Sequence, residues 1–169
     1  MKLLGMVLIA LSAVSAAAVW QAEGRRRIRR LRDFQRLFSL MRGELAAYAP
    51  PLPELLTSLI PRLSGQAKHF AQSLLQGLPQ LAAEGFYPIW ERCVASSVPE
   101  AAEAEKRALE AVGQTLGRYD LARQCQVLEE CERLLRKEAE QEAQALNQSR
   151  GLKWGLALSA AAMLVIVLS

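Results

Sequence analysis

Six of the twelve residues from Gln21 to Arg32, Q-A-E-G-R-R-R-I-R-R-L-R, are arginines, and they follow directly on an uncharged run from Leu3 to Trp20. A second apolar run, from about Leu152 to Leu168, closes the sequence, with Arg150 and Lys153 at its start. An α-helix over Leu3 to Trp20 would be about 27 Å long, close to the hydrocarbon thickness of a bilayer. Positive charge beside an apolar span holds that end in the cytoplasm. A cleaved signal peptide is the competing reading, because Ala16-Ala17-Ala18 fits the small-residue cleavage pattern. Against it, only Lys2 and the amino terminus precede the apolar run, and the heavy charge follows it. The closing run is at the short end for spanning, but it lacks the charged face that an interfacial helix needs. The sequence therefore predicts transmembrane helices over 1–20 and 151–169, a cytoplasmic domain over 21–150, and both termini outside the cell membrane. Trp20 and Trp154 then sit at the cytoplasmic interface, where tryptophan is favoured.

The net charge of +4 is unevenly spread. Eleven of the seventeen acids lie between Glu100 and Glu142. Arg25, Arg26, Arg27, Arg29, Arg30, Arg32, Arg150 and Lys153 read as a topology signal facing anionic lipid, the nearest polyanion. Clustered arginine also suits nucleic-acid phosphate. Phe34 and Phe38, however, fall on an apolar stripe instead of interleaving with the arginines as in a single-strand binder, so no nucleic-acid partner is expected.

The fold class is all-α. Ile28, Leu31, Phe34, Leu37, Phe38, Met41, Leu45 and Tyr48 recur at helical spacing, and Ala49-Pro50-Pro51 ends that helix. Gly24 either breaks it from the membrane leg or is tolerated inside it. All seven prolines fall between Pro50 and Pro99, which predicts short helices over Glu54 to about Leu63, Gln66 to about Gln76, and from Pro88. A fifth helix is expected from Pro99 to Gly117, with Glu100 and Glu103 at its positive end. Gly113-x-x-x-Gly117 could permit close helix contact, though a helix-ending Gly117 is the simpler reading. Asp120 is a candidate N-cap for a last helix reaching about Ser149. Its Leu121, Cys125, Leu128, Leu135, Ala139 and Leu146 hold heptad-compatible positions. The expected bundle thus has about six helices.

Beyond Leu135 that stripe thins to alanine among Glu138, Glu140 and Glu142, so this half of the helix needs a partner. Counting equal rises from Trp20 and Trp154 sets Arg29, Arg30 and Arg32 opposite those three acids across an antiparallel stalk.

Little catalytic chemistry is legible. A nucleophile–base pair would rest on one histidine, His69, with Cys93 as the candidate thiol. Cys93, Cys125 and Cys131 show no CxxC spacing and read as reduced core thiols. No phosphate loop occurs. The expectation is a non-enzyme with no cofactor, no metal and no small-molecule substrate. Leu81, Phe86, Tyr87 and Trp90 are candidate partner contacts, although their periodicity suits the core equally well.

The ordered pattern resembles the stage III sporulation protein AB family over essentially the whole chain. It comprises K-L-L-G from Lys2 to Gly5, Leu31-Arg32, Glu44-Leu45 ahead of Pro51-Leu52, and Trp90. After these come L-G-x-x-D over Leu116, Gly117 and Asp120, then Gln124 and the closing apolar run. Ala47 and Pro50 stand where the family usually has tyrosine and threonine, and Tyr119 replaces a small polar residue. The resemblance implies a component of the transenvelope channel complex between mother cell and forespore, in the mother-cell membrane. It also implies a helical domain like those of type II secretion and type IV pilus platform proteins, docking a secretion-type ATPase. The alternative is a membrane hairpin that organises anionic lipid through its arginines without an ATPase.

Overall fold

A computed structural model describes the backbone of residues 2–168 and the side chains of residues 22–148. The apolar runs expected to cross the membrane, with Arg150 and Lys153, lie outside the described side chains. Among the described residues no helix is long and apolar enough to cross a membrane. Seven α-helices occur, and there is no strand among the described residues. They are α1 (Lys2–Tyr48), α2 (Leu52–Leu59), α3 (Gly65–Gly77), α4 (Leu81–Glu84), α5 (Phe86–Ser97), α6 (Glu103–Thr115) and α7 (Leu121–Leu168).

The chain divides into two units, one made of the stretch through Ile28 with the chain from Ala139 onward, the other Arg29–Glu138. In the first unit α1 runs unbroken through Gly24. A Cβ on Gly24 would lie 2.9 Å from Leu146 Cδ2, so the glycine lets α1 and α7 approach closely there.

In the second unit the α1 stripe is buried from Leu31 to Leu45, as its three- and four-residue spacing demands. The stripe stops short of Tyr48, which is 80% exposed. Ala49, with φ at 45°, turns the chain out of the helix ahead of Pro50 and Pro51. α2 then buries Leu55, Leu56 and Leu59. α5 packs against both α3 and α6. Its first turn contains Pro88, tolerated because first-turn N–H groups have no acceptor within the helix.

Two details correct the sequence reading. α4 is a single turn between Pro79 and Gly85 that no periodicity announces. α6 begins at Glu103 instead of Pro99, because Val98 to Ala101 close a separate turn through Ala101 N–H to Val98 O, 3.1 Å. Ala102 is then extended at the N-cap, and its carbonyl accepts from Lys106 N–H at 2.9 Å.

The seat of α3 yields a first prediction. Gly65 starts α3 at φ 56°, and a Cβ there would strike the Asp33 carboxylate, to which Ser64 Oγ donates at 3.4 Å. Burial raises the Asp33 pKa, while the Ser64 hydrogen bond, Arg36 and Arg29 pull it the other way. Gly65→Ala should cost at least about 1–2 kcal/mol for the left-handed conformation alone. Urea unfolding of the full chain in detergent, followed by circular dichroism, checks this. An unchanged midpoint would contradict it.

Candidate functional site

The arginine run does not act as one group. In the first unit Arg27 Nη1 donates to Glu142 Oε2 at 2.9 Å, both side chains half-buried. This places one arginine of the run against one expected stalk acid, but the arginine is Arg27, not Arg29, Arg30 or Arg32. Equal rises from Trp20 and Trp154 set Glu142 opposite Arg32, five residues farther along α1 than its observed partner. Being partly exposed, the pair contributes only about 0–1 kcal/mol and sets alignment more than stability. Arg25 and Arg26 are exposed.

In the second unit Arg30 turns inward. Its Nη2 lies 3.3 Å from Glu105 Oε2, with side-chain exposures of 10% and 2%, and its Nε has no hydrogen-bond partner. Arg30 therefore neither faces lipid nor joins the stalk; it ties α1 to α6. Both residues continue apolar stripes. Arg30 leads into Phe34, Leu37 and Met41, and Glu105 into Leu109, Val112 and Leu116. An opposite charge on each of two core-facing stripes was the available sign of this pair. Farther along, Arg42 Nη2 reaches Glu132 Oε2 of α7 at 3.3 Å. Arg29 and Arg32 are exposed.

Trp90, expected as either contact or core, is fully buried. Its Nε1 donates to Leu109 O at 2.9 Å, its ring meets Phe70 edge-on at a centroid distance of 5.0 Å, and Phe38 and Phe86 flank it. A Cβ on Gly113 would come within 2.6 Å of the indole nitrogen. The close approach involving Gly113 is thus with the Trp90 indole of α5, and Gly117 takes no part in it. Phe86 and Tyr87 are half-buried and Leu81 is exposed.

The residues Leu116, Gly117, Asp120 and Gln124 form the corner between α6 and α7. Leu116 is buried, and Gly117 takes φ 73°, which ends α6 at little steric cost. Asp120 stands at the N-cap position, its carbonyl accepting from Gln124 N–H at 3.1 Å. Gln124 Nε2 donates back to Tyr119 O at 2.7 Å, which closes the corner. This motif shapes the chain; Tyr119 and Leu121 beside it are exposed.

The reactive groups do not converge. His69 Nδ1 is 3.4 Å from Ser73 Oγ, one turn away on an exposed face of α3. Burial raises the Cys93 thiol pKa, with Arg92 pulling it down. Burial pushes the Cys131 thiol to about 12. Among the described residues no three His, Cys, Asp or Glu side chains gather as a metal site. At pH 8, iodoacetamide should modify half-buried Cys125 in the native protein and leave Cys131 untouched until unfolding. Mass spectrometry of native and denatured samples decides this. Native modification of Cys131 at the rate of a free thiol would contradict it.

The family model described as stage III sporulation protein AB (spore_III_AB) matches residues 2–169. No curated protein matches the chain, and no solved structure does.

Proposed function

The chain belongs to the stage III sporulation protein AB family, and from that premise we propose that it is a non-enzymatic, membrane-anchored scaffold of the transenvelope channel between mother cell and forespore. The observation that carries the proposal is the family match over residues 2–169, which takes in both apolar runs and the helical bundle between them. In this reading the runs over 1–20 and 151–169 are transmembrane legs, residues 21–150 lie in the mother-cell cytoplasm, and both termini lie outside. The bundle docks a cytoplasmic secretion-type ATPase and couples it to other channel proteins, with Phe86 and Tyr87 among its candidate contacts.

The test is binding by the full chain, reconstituted in zwitterionic phosphatidylcholine vesicles, of the purified ATPase of the same sporulation complex. Saturable binding to these vesicles, and none to empty ones, is expected. If the ATPase stays unbound while inclusion of phosphatidylglycerol changes how the arginine run is protected from proteolysis, the lipid-organising hairpin replaces the scaffold.

A further inference from the structure

Arg29, Arg32 and Arg36 are exposed, and steps of three and four residues put them on one face of α1 within the second unit. Like charges at this spacing repel, and one nearby carboxylate, that of Asp33, stands against three arginines, so further opposite charge from outside would steady the stripe. Two acids that reach α1 are held by its other arginines. Glu105 meets buried Arg30 and Glu132 meets Arg42. Asp33 feels Arg29 and Arg36, but its carboxylate is directed to Ser64 and Gly65 at the start of α3.

Continuing from Arg36 by four, three and four residues, the same face carries half-buried Leu40, then Gly43 and Ala47, both exposed. Glycine inside a helix lowers its stability relative to alanine. Gly43 does not have a positive φ, and a Cβ there would meet nothing within 4 Å. Among the described residues no contact accounts for this glycine, whereas a backbone approaching from outside would.

We propose that this face of α1, from Arg29 to Ala47, docks an acidic helix of a different protein. The arginines pair with carboxylates at the matching helical spacing, and Gly43 with Ala47 lets the two backbones come close. The inference rests on the scaffold reading and names the face by which the scaffold meets a partner. A bilayer fits less well. With Trp20 at the interface, a helix rising about 1.5 Å per residue sets Arg29 about 14 Å and Arg36 about 24 Å beyond it, past the screening length of roughly 8 Å at physiological salt. A second copy of this chain also fits less well, because exposed Glu129 and Glu130 of α7 are followed by exposed Arg133 and Lys137 instead of further acids. Nucleic acid would call for stacking aromatics, and Phe34 and Phe38 are buried.

The experiment is photo-crosslinking in sporulating cells from the full chain carrying Ala47→p-benzoylphenylalanine. The expected adduct joins one other protein through a helical segment with acids at three- and four-residue spacing. Its yield should fall at least tenfold with Arg29→Glu/Arg32→Glu/Arg36→Glu and severalfold with the three arginines changed to glutamine. It should recover when the partner's acids are changed to lysine. Unchanged circular dichroism of the exposed-site variants separates lost docking from lost folding. Adducts only to lipid, nucleic acid or a second copy overturn the proposal, as does no protein adduct or a yield insensitive to charge reversal. If the adduct is an acidic protein other than the ATPase, this inference stands, and the vesicle-binding test alone decides ATPase docking. If ATPase binding survives the triple reversal and no other acidic partner is captured, the scaffold reading stands and this inference fails.

Discussion

Trp90→Ala should remove about 3–5 kcal/mol of stability, the usual cost of emptying a buried tryptophan site. That is a large part of the roughly 5–15 kcal/mol available to a typical domain. The expectation is at the upper end because the indole joins three helices at once. It stacks edge-on against Phe70 of α3, lies beside Phe38 of α1, and donates Nε1–H to Leu109 O of α6. Trp90→Phe keeps most of the apolar volume and loses the hydrogen bond, so a smaller loss of about 1 kcal/mol is expected from that term. Gly113→Ala tests the same seat from the other side, because its methyl would occupy the space of the indole ring. The small-to-large change should cost about 1–3 kcal/mol despite the better helix propensity of alanine. Urea unfolding followed by far-ultraviolet circular dichroism measures all three. A loss below about 1 kcal/mol for Trp90→Ala, against that usual cost, would mean that the indole is not the centre of this core.

Glu105→Gln should be the most damaging of the single charge changes, at about 3–5 kcal/mol, because it leaves the Arg30 guanidinium buried without its carboxylate. Arg30 already has an unpartnered Nε, so the loss of Glu105 removes its paired carboxylate at a site where both side chains are at least nine-tenths covered. The pair and its apolar replacement should behave differently. Arg30→Met/Glu105→Leu removes both charges and continues the two apolar stripes, so it should fall well short of the sum of the single losses and could raise stability. A double-mutant cycle supplies the coupling energy. Additive single losses would show that the two side chains do not act on each other. By contrast, separating Arg27 from Glu142 should change stability by no more than about 1 kcal/mol, because water reaches both groups.

The long elements were legible because their physics is periodic. Leu31 to Leu45 repeat at three and four residues, and all of that stripe is buried. Tyr48 continues the period in sequence but not in space, since Ala49 turns the chain at once and leaves the ring largely exposed. The start of α6 was misplaced because proline at a helix's first position and proline in a preceding turn look alike in sequence. α4 was missed because a single turn is too short to show a period. At the candidate site, the antiparallel pairing of α1 with α7 followed from the hairpin argument. The partner of Glu142 did not, because the register differs by five residues from the one counted from the tryptophans, which replaces every exposed neighbour. The inward turn of Arg30 was hidden by its setting, a charged residue among charged residues. Only its place four residues before Phe34, together with Glu105 four before Leu109, distinguishes it from the arginines that face outward.

The account depends most on the disposition of the bundle between two membrane legs, and cysteine accessibility in intact cells tests it most directly. With Cys93, Cys125 and Cys131 replaced by alanine, Lys2→Cys, Ala82→Cys and Ser169→Cys are introduced singly and exposed to a membrane-impermeant maleimide. The account predicts that the cysteines at positions 2 and 169 react in intact cells, and that the one at position 82, an exposed site of α4, reacts only after the membrane is opened. Reaction at position 82 in intact cells, or protection of either terminal position, would contradict a two-pass anchor that holds the helical domain in the cytoplasm.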